Sequence, residues 1–265
     1  MSDVFKLRQG TTPLLVSMPH VGTHIPEQER SRYQPRALNC EDTDWHLEQL
    51  YAFALDMGAG MIVPHHSRYL IDLNRPPDDA PMYPGASNTE LCPTRFFTGD
   101  SLYLEGQTPD QAEKLRRLTM YWQPYHQALQ MELQRLRELH GYAVLFDAHS
   151  IRSELPWLFK GKLPDLNLGT VDGRSCDAAI TAQLTALFAA QSDFTQVVNG
   201  RFKGGYITRQ YGRPEQGVHA VQLEMCWSAY MQEKVPYAWD GERAAKVQPL
   251  LKQMVQLLLD WKPRA

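Results

Sequence analysis

No apolar run in this chain approaches the ~20 residues that a membrane-spanning helix needs. The start, Met1-Ser2-Asp3-Val4-Phe5-Lys6, has neither the basic flank nor the apolar core of a secretory leader. The expectation is a soluble, cytoplasmic protein that does not engage a membrane. Charge of one sign is missing too. Lys and Arg number 27 against 30 Asp and Glu, and the basic residues are scattered, so the footprint of a nucleic-acid binder is absent. Cysteine is sparse: Cys40, Cys92, Cys176 and Cys226 form no Cys-x-x-Cys pair, which argues against a disulfide framework and against a thiolate zinc site. Any metal would fall to histidines and carboxylates. The nucleophile elbow around a serine, the phosphate loop ending in Lys-Ser/Thr and the His-Glu-x-x-His helix are likewise missing.

What is there suits one large core. The 265 residues are 43% hydrophobic, and one domain spanning 1–265 is expected. Strand-like runs at Leu14 to Met18, Met61 to Val63, Arg68 to Leu73, Ala143 to Ser150, Thr195 to Val198 and Val218 to Glu224 alternate with helical patterns. The longest pattern, Pro109 to His140, carries Leu115, Leu118, Trp122, Tyr125, Leu129, Leu133, Leu136 and Leu139 in steps of three and four, with a kink expected at Pro124. Shorter helices are expected over Leu47 to Leu55, Cys176 to Gln191 and Glu242 to Trp261. Such alternation predicts an α/β sandwich on a mixed, mostly parallel sheet. Between Pro76 and Thr108 the chain is rich in Pro, Gly, Asn and Asp, and so long a structureless span suits a lid or binding loop.

The chemistry gathers at strand ends. In open α/β sheets ligands bind in the crevice beyond the carboxyl ends of the strands. Three apolar runs end in His20, in Asp147-Ala148-His149-Ser150 and in Glu224. Any one of nine histidines is ordinarily a surface or satisfied core residue; two strand-terminal histidines and a strand-terminal glutamate make an unusual coincidence for a purely structural sheet. A catalytic zinc keeps three His or carboxylate ligands and an open fourth position. His20 and His149 suit two of them. For the third, Asp44 comes first, with Asp42 and His24 behind it, although a carboxylate at a helix start also serves as a plain cap. Glu224, amid Val218, Ala220, Val221 and Leu223, should be desolvated and raised in pKa toward a range useful for moving protons. Asp147 would orient His149 from behind or cap a turn.

Arg68, Arg75, Arg95, Arg152, Arg201 and Arg209 all lie in or beside expected loops. Guanidinium forks bind carboxylates in a bidentate way, so a small dicarboxylate is the expected substrate class. Arg75, with Asn74, directly follows an apolar run and leads the candidates; Arg95, Arg152 and Arg209 follow.

Taken together, Ser17 to Pro26, Asp42 to His46, Ser67 to Pro77, Phe146 to Ile151, Asn199 to Thr208 and Val221 to Glu224 resemble the N-formylglutamate amidohydrolase family. The resemblance implies metal-dependent hydrolysis of N-formyl-L-glutamate to formate and L-glutamate in histidine degradation. It implies a three-layer fold similar to the zinc carboxypeptidases, one divalent metal with zinc foremost, and a metal-activated water with Glu224 as general base. His20, His149 and Glu224 match that broader group's two strand-end histidines and its later glutamate. Thr23 stands where a His-x-x-Glu pair would supply its glutamate, which leaves the third ligand to Asp44, Asp42 or His24. The competing readings are a metallohydrolase of another N-acyl amino acid or peptide C-terminus, and a non-catalytic protein that binds small carboxylates.

Overall fold

The computed structural model describes residues 4–82 and 88–263. Part of the expected loop between Pro76 and Thr108, residues 83–87, therefore lies outside the described residues. The chain forms strands β1 (Phe5–Arg8), β2 (Leu14–Ser17), β3 (Gly60–Pro64), β4 (Ala143–Ile151), β5 (Leu166–Gly169), β6 (Gln196–Val198) and β7 (Val218–Cys226). They make a seven-stranded sheet in the order β1-β3-β2-β4-β7-β5-β6. Neighbours run parallel except at β1 with β3 and β5 with β7. The sheet is thus mixed and mostly parallel, as expected.

Helices α1 (Glu27–Arg30), α2 (Leu47–Leu50), α3 (Phe53–Asp56), α4 (Gln111–Arg117), α5 (Gln123–His140), α6 (Ala178–Ala189), α7 (Tyr206–Tyr211) and α8 (Gly241–Asp260) surround it. The side-chain alternation of strands explains the layers. Leu14, Val16, Val144, Phe146, Val221 and Leu223 point to one face, where they pack with α2, α3, α6 and α8. Leu15, Ile62, Ala143, Leu145, Val218 and Ala220 point to the other, against Tyr125, Leu129, Leu133 and Leu136 of α5 and Ile207 of α7. All nine residues of β4 and all nine of β7 are buried, which is why both read as nearly continuous apolar runs. Leu129 and Leu136 are fully buried, and truncating either to alanine should cost ~2–5 kcal/mol. No helix among the described residues is long and apolar enough to cross a membrane.

Several expectations need correction. The run from Arg68 to Leu73 is not a strand but a set of turns. The outer place beside β3 is taken by β1, built from the polar lead, and Arg68 and Asp72 are drawn into a buried ion pair. The helix expected over Leu47 to Leu55 is two single turns, and His46, with φ of 62°, precedes the first without a side-chain cap. Asp44 therefore does not cap it. β5 arises between Ile151 and Arg174, a span whose Pro156, Gly161, Pro164, Gly169 and Gly173 read as loop from the sequence. In the long helix, Leu115 and Leu139 are exposed, so the apolar stripe is shorter than its leucines suggest. Pro124 cannot donate to the carbonyl four residues back and its ring crowds that carbonyl. The chain answers with a π-helical turn over Leu118–Trp122, and Gly141, with φ of 81°, then ends α5 in a left-handed cap.

Candidate functional site

Strands β2, β4 and β7 lie side by side and parallel, so their carboxyl ends open on one edge of the sheet. His20 follows the end of β2. His149 lies near the end of β4, paired in register with Glu224 of β7; partners in register share a face, so both side chains stand on the α5 side. The loop after His20 brings Asp44 back, its amide donating to the His20 carbonyl at 3.0 Å.

His20, Asp44 and His149 are buried and offer three ligand atoms within 4.8 Å of one another; among the described residues this is the one such cluster, and it could hold a metal ion. The atoms that converge are specific. Oδ2 of Asp44 lies 3.7 Å from Nδ1 of His20 and 3.1 Å from Nδ1 of His149. Each ring lies against a second carboxylate: Nε2 of His20 donates to Oδ1 of Asp72 at 2.7 Å, whereas Nε2 of His149, 3.0 Å from Oδ2 of Asp147, accepts from Nδ2 of Asn74 at 2.9 Å. With Nε2 of His20 protonated, the Nδ1 lone pair of that ring is turned toward Asp44, and Nδ1 of His149 faces the same carboxylate. Carboxylates behind metal-binding histidines fix the tautomer and raise ligand basicity in this way. The donor set, two imidazoles and one carboxylate, therefore fits a divalent metal.

Asp147 is itself held, accepting from Ser17 Oγ at 3.1 Å and from Asn74 Nδ2 at 3.3 Å. Asp72 was not singled out from the sequence, because it sits inside alternating apolar residues that read as a strand. It accepts from Arg68 at 2.6 Å and from the Asn74 amide at 2.8 Å. Burial opposes its ionisation, but His20, Arg68 and Arg75 outweigh burial and hold its carboxyl well below the usual range. Asp44 follows the same logic, with His149 and His20 overcoming burial to keep it ionised. Burial works against charge on His149, yet Asp147 and Asp44 raise its pKa well above the ordinary value. Glu224 differs in sign: burial raises it to about 8, with His149 opposing and Asp44 adding to the rise. Gln222, two residues earlier on the same face, places Nε2 3.4 Å from Oε2 of Glu224 and accepts from the Gly205 amide at 2.6 Å.

His20, His149, Gln222 and Glu224 line a cavity of about 60 Å³ together with Arg68, Arg75, Arg201 and Thr89. That is room for several waters or a small molecule, not for a polymer. Asn74 forms part of the wall. Its Oδ1 accepts from the Ile207 amide at 2.8 Å, and a Cβ on Gly205 would come within 2.3 Å of its side chain, so only glycine allows this approach. Arg75 is held by Thr89, its Nη2 donating to Oγ1 at 2.6 Å.

Other sequence candidates fall elsewhere. Asp42 is buried but accepts from the Tyr69 hydroxyl at 2.8 Å and the Phe97 amide at 2.9 Å, outside the three-residue cluster. His24 is exposed and bridges to His66. Arg95 is exposed and donates to the Gly99 carbonyl. Arg152 donates to the Tyr237 hydroxyl and lies over the Trp227 ring; Arg209 donates to the Gly204 carbonyl. None of the three lines the cavity. Ser150 is hydrogen-bonded to the Tyr230 hydroxyl at 2.7 Å.

Comparison with known proteins places these features in a wider group. A family model described as N-formylglutamate amidohydrolase matches residues 12–231. N-formylglutamate deformylase of Pseudomonas putida is 49% identical over 98% of this chain and 97% of its own. The protein of that name from Pseudomonas aeruginosa is 47% identical over 98% of each. The fold is similar to the crystal structure of N-formylglutamate amidohydrolase from Ralstonia eutropha, with a TM-score of 0.79 and 24% identity over 96% of this chain and 95% of that one. A gene product of Agrobacterium tumefaciens also shares the fold, at a TM-score of 0.72 and 16% identity over 97% and 94%.

Proposed function

The chain belongs to the N-formylglutamate amidohydrolase family, and from that premise we propose that it hydrolyses N-formyl-L-glutamate to formate and L-glutamate, as the last step of a histidine-degradation route. The observation that carries the reading is the meeting of His20, Asp44 and His149 beside Glu224 at the mouth of three parallel strands. One divalent ion held by Nδ1 of His20, Nδ1 of His149 and a carboxylate oxygen of Asp44 would supply Lewis acidity and a water ionisable near neutral pH, and zinc is our assignment for it.

Glu224 is the general base. It takes a proton from the attacking water as the new carbon–oxygen bond forms at the formyl carbon. The same proton then goes to the glutamate nitrogen as the carbon–nitrogen bond breaks. A pKa of about 8 suits that two-way traffic better than an ordinary carboxylate does. Arg68, buried in the cavity wall and held by Asp72, stabilises the oxyanion that develops on the carbonyl oxygen. Arg75 and Arg201 grip the substrate carboxylates, and Asn74 forms part of the same wall. The substrate is thus a small dicarboxylate. Four unpaired, buried cysteines suit the reducing cytoplasm.

Steady-state rates on N-formyl-, N-acetyl- and N-succinyl-L-glutamate and on N-formyl-L-aspartate test the assignment. A kcat/KM for the formyl-glutamate at least tenfold above the others is expected. Equal or faster turnover of a larger acyl group would transfer the enzyme to another amide.

A further inference from the structure

Behind the cavity wall, the segment Leu73-Asn74-Arg75 is held by two ring N–H groups, one from the π-helical turn and one from α5. Trp122 Nε1 donates to the Arg75 carbonyl at 3.0 Å. His126 Nε2 lies 2.8 Å from the Leu73 carbonyl; a carbonyl can only accept, so that nitrogen carries the hydrogen. The two contacts fall on either side of Asn74. The rings stack on each other with centroids 3.8 Å apart and planes 25° apart, and the Tyr211 ring lies nearly parallel to that of His126, with centroids 5.9 Å apart.

His126 is buried, and burial pushes its pKa down to about 3. It is therefore neutral, and its Nδ1 accepts from the Tyr211 hydroxyl at 2.9 Å. One tautomer is locked from both ends. Trp122 ends the π-helical turn and His126 lies one turn later; π-turns recur at functional sites. Here the turn sets where the two donors stand.

We propose that Trp122 and His126 are positioning residues for substrate binding, gripping the two carbonyls that flank Asn74 so that Arg75 meets the substrate carboxylate at a fixed reach. The inference rests on the reading of Arg75 as a carboxylate-binding residue. Among the described residues neither ring hydrogen-bonds to or stacks on His20, Asp44 or His149; the path runs through the 73–75 backbone. A loose grip leaves the chemistry intact and lets Arg75 wander, which weakens binding before it slows turnover.

The test uses the full-length, metal-loaded enzyme and three variants. Trp122→Phe keeps the stacked ring and removes the N–H. His126→Leu removes both ring nitrogens, and His126→Gln restores a donor at similar reach. For Trp122→Phe and His126→Leu, KM for N-formyl-L-glutamate should rise five- to twentyfold with kcat within threefold of wild type. The preference over N-formyl-L-aspartate should narrow, and His126→Gln should recover at least half of the lost affinity. Unchanged KM and preference in Trp122→Phe, or a fall in melting temperature alone, would overturn the proposal. If the wild type released no formate, the hydrolase reading would fall instead. Dissociation constants of the same variants for L-glutamate would still decide the grip, raised if it operates and unchanged if it does not.

Discussion

The two ends of the cavity are built differently. At one end, His20, His149 and Glu224 are delivered by the ends of three parallel strands, and each of the two rings lies against a buried carboxylate. At the other, Arg75 and Arg201 come from connecting segments, and Arg75 depends on Thr89 and on helix-borne donors to its backbone. Strand ends inherit their geometry from the sheet; connecting segments must be tied down by contacts made far away in sequence. Under the proposed function this contrast becomes a division of labour, in which the rigid end would perform the bond-making and the tethered end would recognise the substrate.

This comparison is sharpened first at the rigid end. Glu224→Gln should lower kcat by ~10²–10⁴-fold, the span ordinarily supplied by a general base, while metal content stays at the wild-type level. Full turnover in that variant would remove Glu224 from proton transfer. One step back, Asp72→Asn keeps the shape but weakens the hold on His20. Its metal affinity should fall ~10–100-fold, read by competition with a chelator, and an affinity equal to wild type would leave Asp72 a merely structural partner of Arg68.

The tethered end should respond in KM instead. Arg75→Lys loses the bidentate fork, and a lost charged hydrogen bond of ~1.5–3 kcal/mol corresponds to a KM roughly ten- to a hundredfold higher with kcat little changed. A fall in kcat with KM constant would place Arg75 in the chemistry and erase the contrast between the two ends.

The smallest effect concerns stability. His126 has a folded pKa of about 3 against an ordinary 6.5, so between those values the unfolded chain binds more protons than the folded one. Its contribution is complete above pH 6.5 and is lost as pH falls toward 3. His126→Gln should therefore show a flatter decline of melting temperature between pH 7 and pH 4.5 than wild type. A parallel decline would mean that His126 is charged in the folded protein.

The same contrast explains what could be read before the structure. His20, His149 and Glu224 were legible because an apolar run that stops at a chemically capable residue marks a strand end facing ligand space. Asp44 could be named because it lies in an acidic stretch soon after His20, though its second reading as a helix cap fell only when His46 was found to start that turn uncapped. Asp72 was hidden by the apolar alternation of its neighbours, which suggested a strand where turns occur. The arginines were recognisable as a class but not as individuals. Membership of a loop does not say which side of the sheet the loop closes over, and so Arg75 lines the cavity while Arg95, Arg152 and Arg209 spend their donors elsewhere. The mixed sheet followed from periodicity, whereas β5 was too short and too embedded in Pro and Gly to stand out.

The central claim is that a metal held by His20, Asp44 and His149 and a base at Glu224 together release formate from N-formyl-L-glutamate. The most direct measurement is formate release by the purified protein before and after chelation, with metal content determined on the same samples. The account predicts about one divalent ion per chain, loss of formate release in step with loss of the ion, and recovery when zinc is returned. Undiminished formate release from a metal-free sample would contradict it.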